Sequence, residues 1–431
     1  MRRPHRALAW LAAVGLLVVS LACGAQMSNL SERYVKLVLA VGVHDPDYVD
    51  AYYGPPEWRT AAAEQRRSVA DLDADAAAWL GELADEVLPP GAAELERLRH
   101  RYLKTQVESL RARLKMLSGE RLTFDEESAA LYDAVAPVHT EEEFRAVLRE
   151  LDAHLPGSGP LLDRYQAFRE RFEIPKDRLD AVFAAAIEGC RARTLEHIAL
   201  PATESFTIEY VTGKTWSGYN WYQGNYRSLI QINTDLPIYI ERAIDLACHE
   251  GYPGHHVYNV LLEQHLTRER GWQEFSVYAL FSPQSLIAEG TANYGIEVAF
   301  PDAERRRFER DVLFPAAGLD ASRADEYYDV LELVDKLSYA GNEAARRYRD
   351  GTIDASAAAK WIETYALYSP ERAAQRVRFI DQYGAYVINY NLGKDLVASY
   401  VERHAGADPN RRWSEFAKLI SSPRLPSELK D

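Results

Sequence analysis

Apolar residues recur at helical spacing along most of this chain, and that recurrence confines it to folds built mainly by packing helix on helix. In residues 91–118 (GAAELERLRHRYLKTQVESLRARLKMLS), Leu95, Leu98, Tyr102, Val107, Leu110, Leu114 and Leu117 follow at intervals of three, four and five, with charges opposite them. Residues 141–154, 176–198, 238–250, 322–349 and 370–404 read the same way. Proline and glycine interrupt the pattern at Leu88-Pro89-Pro90-Gly91 and again across Leu155-Pro156-Gly157-Ser158-Gly159-Pro160. One stretch differs. Residues 205–212 (SFTIEYVT) and 226–234 (YRSLIQINT) alternate in character and are rich in β-branched and aromatic side chains, with the connector WSGYNWYQGNY (216–226) between them. They read as a small antiparallel ribbon. The expected fold class is therefore mainly α with a small antiparallel β ribbon (α+β), in a single domain over 28–431.

Composition enters to exclude classes. A disordered acidic chain would not carry 26 Tyr, 13 Phe and 8 Trp, which supply the apolar area that disorder lacks. Three cysteines are too few for a disulfide scaffold. A formal charge of −15 argues against a nucleic-acid partner held through phosphates.

Residues 1–22 stand apart from the globule. Arg2, Arg3 and Arg6 precede the apolar run ALAWLAAVGLLVVSLA (7–22), which ends in Leu21-Ala22-Cys23-Gly24. This is the layout of a secretory signal peptide. The run falls short of the ~20 residues a membrane-spanning helix needs, and no other apolar stretch matches its length. The segment resembles a bacterial lipoprotein box, with Cys23 as the lipidated first mature residue, although Ser20 stands where an aliphatic residue is usual. The expectation is an exported protein, held at the cell envelope by lipid on Cys23 on the periplasmic or extracytoplasmic side, or alternatively secreted. Cys190 and Cys248 are then the only cysteines of the body, and their pairing is left open.

The chemistry concentrates at Cys248-His249-Glu250-Gly251-Tyr252-Pro253-Gly254-His255-His256. Four of the eleven histidines (His249, His255, His256 and His265) fall in this neighbourhood. Catalytic zinc takes imidazoles and carboxylates in a tetrahedral set with one position open. A glutamate beside the first ligand can face that position and act as general base towards the attacking water. The usual spacing places the second histidine four residues on, but here that residue is Pro253, which disturbs the helix. In an unbroken helix His256 would return within ~20° of His249. If a bulge at Gly251-Tyr252-Pro253 absorbs two residues, His255 takes the position, leaving His256 as a neighbouring group or substrate contact. Pro253 and Gly254 favour the bulge. A third ligand is available downstream. Glu289 sits on an apolar helical face with Leu286, Ile287, Ala292 and Ile296, after Ser282-Pro283 as cap and first residue, and Gly290 beside it admits close approach of another backbone. Glu297 is the alternative.

These residues resemble the bacterial domain-of-unknown-function family 885, a relative of the gluzincin metallopeptidases. The match runs from about Ile174 to Tyr400, takes in Asn233-Thr234, Glu289-Gly290, Tyr294, and Tyr390 and Gly393 of INYNLGK, and covers residues up to about 155 only loosely. It departs at Thr291, where the family commonly has Trp, at Asn293, where it has Leu, and at Tyr383-Gly384, where it has Pro-Gly. The resemblance implies a gluzincin-like metallopeptidase architecture with the catalytic core in 174–400. It implies zinc held by two histidines and a downstream glutamate, and an edge strand, 226–234, pairing with extended substrate. Tyr390, or else Tyr294, would donate to the developing oxyanion. Core packing is the alternative for each tyrosine. The expected activity is zinc-dependent hydrolysis of peptide bonds. A non-catalytic lipoprotein binding peptides in the same cleft, or an amidase or esterase, are the competing expectations.

Overall fold

The computed structural model describes residues 27–86, 88 and 91–430. The expected signal peptide (1–22), Cys23 and part of the break at Leu88–Gly91 lie outside the described residues. A helix over 27–41 (α1) leads into β1 (Val49–Tyr52). There follow α2 (Pro56–Gln65), α3 (Val69–Asp85), α4 (Glu94–Leu117), α5 (Phe124–Tyr132), α6 (Glu141–His154), α7 (Leu161–Arg169) and α8 (Leu179–Leu195). The middle of the chain holds β2 (Ser205–Val211), β3 (Gly218–Gly224), β4 (Arg227–Asn233), α9 (Glu241–Leu246), α10 (His255–Leu262), β5 (Val277–Ala279) and α11 (Pro283–Ala299). The remainder is helical: α12 (Asp302–Phe308), α13 (Phe314–Ala317), α14 (Ala324–Asp335), α15 (Ala340–Arg349), α16 (Ala355–Tyr365), α17 (Pro370–Tyr383), α18 (Ile388–Ala405) and α19 (Pro409–Ile420). Among the described residues the fold is mainly helical, as the periodicity requires, with two small sheets.

Local chemistry sets the boundaries. The Thr140 hydroxyl accepts from Glu143 N–H while the Glu143 carboxylate takes the Thr140 N–H, a capping box that starts α6 where the sequence places it. Two long expected helices are each divided: 322–349 into α14 and α15, and 370–404 into α17 and α18. At the second division the Glu127 carboxylate accepts the Ala385 N–H at 2.8 Å, so a donor that a continuous helix would satisfy internally is satisfied from α5. Buried apolar residues from Met27 to Leu429 form one continuous cluster.

The ribbon is rearranged relative to the sequence reading. The strand at 205–211 does not pair antiparallel with 227–233; the two run parallel. The antiparallel partner of β4 is β3, formed within the connector, and the sheet order is β2-β4-β3. The β3–β4 hairpin turns at Asn225 and Tyr226, with φ of 54° and 61°, a two-residue turn whose positive φ values match strand twist. Asn is at home there but Tyr is not, which hides the turn from sequence patterning. Glu263 holds it instead, its carboxylate accepting both turn N–H groups at 3.1 and 3.2 Å. Consequently 226–234 is the central strand and not an exposed edge. The edge next to the histidine motif is β3.

Candidate metal centre

α9 runs into a π-helical turn, Ala247–Gly251, that carries His249 and Glu250. The wide turn is closed by Tyr252 N–H to the Ala247 carbonyl (3.2 Å) and by Gly254 N–H to the Cys248 carbonyl (2.9 Å). The Tyr252–Pro253 peptide is cis, and α10 restarts at His255. Gly254 is dictated by space, since a Cβ there would lie 1.8 Å from the His249 carbonyl oxygen. Two residues are thus absorbed between the helices, and His255 arrives beside His249. Cys248 is disulfide-bonded to Cys190 of α8, with Cα atoms 5.6 Å apart, which ties the turn to the preceding helix.

Three ligand-type atoms converge. His249 Nε2 and His255 Nε2 are 3.1 Å apart, and Glu289 Oε2 lies 3.2 Å from the first and 3.7 Å from the second. Atoms held tetrahedrally ~2.0–2.1 Å from zinc would be spaced about 3.3 Å from one another. Glu289 Oε2 is buried and has no hydrogen-bond partner among the described residues, whereas Oε1 accepts from the Tyr386 hydroxyl at 2.7 Å. An orphaned carboxylate oxygen facing two imidazole nitrogens is costly unless a cation joins them. The donor set therefore fits a metal ion.

Neighbours orient these groups. Asn293 donates through Nδ2 to the Tyr390 carbonyl (2.9 Å), which leaves its Oδ1 to accept from His249 Nδ1–H (3.0 Å). That bond assigns the proton of neutral His249 to Nδ1 and points the Nε2 lone pair at the cluster. Gly290, next to Glu289, lets α11 cross α18 closely, since a Cβ there would lie 2.4 Å from the Gly393 carbonyl oxygen. Glu250 is buried, and burial, reinforced by Glu289 and opposed by His255, pushes its carboxyl up to about 7. Its backbone carbonyl accepts from Asn220 Nδ2 at 2.7 Å, which docks the turn on β3. Asp50 of β1 is raised to about 6 by burial, against the lowering effect of the Tyr219 hydroxyl that donates to it.

The other sequence candidates are distributed unevenly. The Tyr390 hydroxyl is raised far above its ordinary value by burial, with Glu289 and Glu250 adding, so it sits within the field of the centre. Tyr294 faces elsewhere, with its ring 6.3 Å from Phe416 of α19. Glu297 is exposed and pairs with Lys394 at 2.6 Å. His256 is fully buried, bridging Ser228 (2.9 Å) and Glu204 (3.0 Å), and cannot touch a substrate. Asn293, Tyr386, Asn220 and Asp50 escaped the sequence reading. Asn293 enters the sequence only as a departure from the family pattern, Asn220 lies in the connector read as unpaired, and Tyr386 and Asp50 carry no local signal.

No family model matches the chain, and no curated protein matches it. The resemblance to family 885 therefore rests on the motif residues. Among solved structures, a candidate lipoprotein from Colwellia psychrerythraea matches with 16% identity and a TM-score of 0.49, over 86% of this chain and 71% of that one. Pyrococcus furiosus carboxypeptidase matches with 12% identity and a TM-score of 0.48, over 94% and 90%. M32 carboxypeptidase from Deinococcus radiodurans matches with 12% identity and a TM-score of 0.39, over 96% and 94%. Likenesses of this size carry no chemistry with them, so the function rests on the chain's own side chains.

Proposed function

We propose that this protein is a zinc-dependent hydrolase of peptide or related amide bonds, exported and anchored by lipid on Cys23. The observation that carries the reading is the convergence of His249 Nε2, His255 Nε2 and an otherwise orphaned Glu289 Oε2 beside a buried Glu250. His249, His255 and Glu289 are the residues that would hold the ion. Zinc bound there supplies Lewis acidity towards the substrate carbonyl and makes water easier to deprotonate. Glu250, buried beside the three ligand-type groups, accepts the proton from the attacking water and returns it to the leaving amine. Tyr390 donates from its hydroxyl to the oxygen on which negative charge develops. β3, the edge strand whose Asn220 holds the Glu250 carbonyl, pairs with extended substrate in the role first expected of 226–234. Exported location accords with the Cys190–Cys248 disulfide, which favours an oxidising compartment. No described helix is long and apolar enough to cross a membrane.

Elemental analysis and turnover on a peptide library provide the test. Wild type and Glu250→Gln should bind about one zinc each, and His249→Ala far less. Glu250→Gln should lower kcat by roughly 10²–10⁴-fold, the typical worth of a general base. Equal, near-zero metal in wild type and His249→Ala would sink the reading. Metal and peptide binding with no turnover by wild type would favour a binding protein instead.

A further inference from the structure

Asp50 sits where the pairing of β1 with β5 is irregular. Val49 pairs with Ala279 and Ala51 with Tyr278, so Asp50 is an extra residue with no partner across the ladder. Such bulges re-aim a side chain, and they recur beside functional sites. Here the carboxylate is turned to β3, where it accepts from the Tyr219 hydroxyl. It has no other hydrogen bond and no ion pair among the described residues, and Asp50 keeps part of its surface open. A neutral amide would accept from one hydroxyl equally well. A carboxylate drawn partly out of water with a single neutral donor is costly, unless a cation completes the site.

Tyr219 places this carboxylate beside the candidate metal centre, because its neighbours on both sides touch Glu250. A Cβ on Gly218 would lie 2.8 Å from Glu250 Oε1, and Asn220 Nδ2 donates to the Glu250 carbonyl at 2.7 Å. β5, the partner of β1, runs on through Ser282 into α11, the helix of Glu289. The charges agree with this placement: His255 and Glu289 act on Asp50, and Asp50 acts on Glu250.

Aromatic rings continue from Tyr219. Its ring lies 5.3 Å from that of Trp216 and 4.4 Å from that of Trp221, which is exposed. The row already takes one ammonium, since Lys214 lies over Trp216 at 5.6 Å. Asp47, which accepts from Gln382 Nε2 at 3.1 Å, is a second carboxylate with no ion pair among the described residues. Unpaired negative charge beside ring faces suits an incoming cation and disfavours an anion.

We propose that Asp50 is a specificity-determining residue that receives an ammonium group beside the ring of Tyr219, so that the substrate is a peptide presenting an amine close to the bond that is cleaved. The cleavage rests on the hydrolase reading, but the binding does not. Two sources share this chemistry: the free N-terminus of a peptide, and a Lys side chain.

The test measures binding by calorimetry to zinc-loaded Glu250→Gln, which removes turnover and also the charge of Glu250 itself. One pair of probes is a neutral dipeptide amide with a free N-terminus and its N-acetylated form. The other is an N-acetylated dipeptide amide containing Lys and its norleucine counterpart. In at least one pair the amine should bind roughly ten- to a hundredfold tighter, as gain of one charged hydrogen-bonding partner implies. Which pair shows the preference assigns the ammonium to the N-terminus or to the side chain. Adding Asp50→Asn, which keeps an acceptor for Tyr219, should abolish the preference with zinc content and melting temperature unchanged. Asp50→Glu should restore part of it. Binding within about threefold in both pairs would overturn the subsite. So would a preference that survives in zinc-loaded, folded Asp50→Asn, which would leave Asp50 as no more than a partner for Tyr219. Hydrolysis by wild type with no amine preference would end the subsite and keep the hydrolase. Amine-selective binding with no hydrolysis would do the reverse.

Discussion

Asn293 shows how one side chain can fix the state of another. Its amide nitrogen is committed to the Tyr390 carbonyl, so its oxygen faces His249 and sets which imidazole nitrogen remains free. Asn293→Leu, the residue more usual in family 885, removes the acceptor and leaves the His249 ring free to turn or change tautomer. Metal affinity should fall roughly 10–100-fold, read by competition with a chelator, while the far-ultraviolet spectrum stays that of wild type. His249, Glu250 and Glu289 stood out in the sequence by residue type and context, whereas His255 was only favoured over His256, by Pro253 and Gly254. Asn293 and Tyr386 did not stand out, because a hydrogen bond across 44 or 97 positions leaves no local pattern.

At the scale of elements, the centre depends on a helix that is interrupted in a controlled way. Gly254 has no room for a methyl group against the His249 carbonyl. Gly254→Ala should therefore displace the carbonyl that follows the His249 side chain, costing about 1–3 kcal/mol of stability by overpacking. Denaturant titration checks the stability, and zinc stoichiometry should fall with it. The sheet is fastened to α10 through Glu204. Burial works against its charge, but His256, Tyr252 and Arg191 outweigh that and hold its carboxyl at about 2, against an ordinary value of 4.5. A carboxyl depressed by folding adds stability that is complete above its unfolded value and drains away as pH falls towards its folded value. Melting temperature should accordingly fall as pH is lowered from about 5 to about 2, as those two values bracket. Glu204→Gln should melt lower than wild type at pH 7 and show a shallower decline across that window. The strand pairing was the element the sequence concealed. A Tyr at positive φ in the hairpin turn, held by Glu263, masked β3 as a connector.

For the molecule as a whole, the candidate metal site joins distant parts of the chain. The π-helical turn, α10 and α11 each contribute a ligand-type atom, α8 reaches the turn through the disulfide, and α18 lies against α11 at Gly290 and Gly393. An ion held only by the folded arrangement stabilises it by mass action. Zinc at a hundredfold excess over its dissociation constant adds about 2.7 kcal/mol. Removing metal with a chelator should lower the melting temperature by several degrees and zinc should restore it, whereas His249→Ala should not respond.

The sequence by itself determined the helical fold class, the capped boundaries of helices such as α6, and the residue types at the centre, because these depend on spacing and on chemistry within a few positions. Tertiary structure alone decided which histidine faces His249, which strand forms the edge, and that Cys190 meets Cys248. Each of those is a contact between segments whose separation in the chain carries no periodic signal, and each is settled by packing, where only one arrangement leaves room for the backbone and partners for the buried charge.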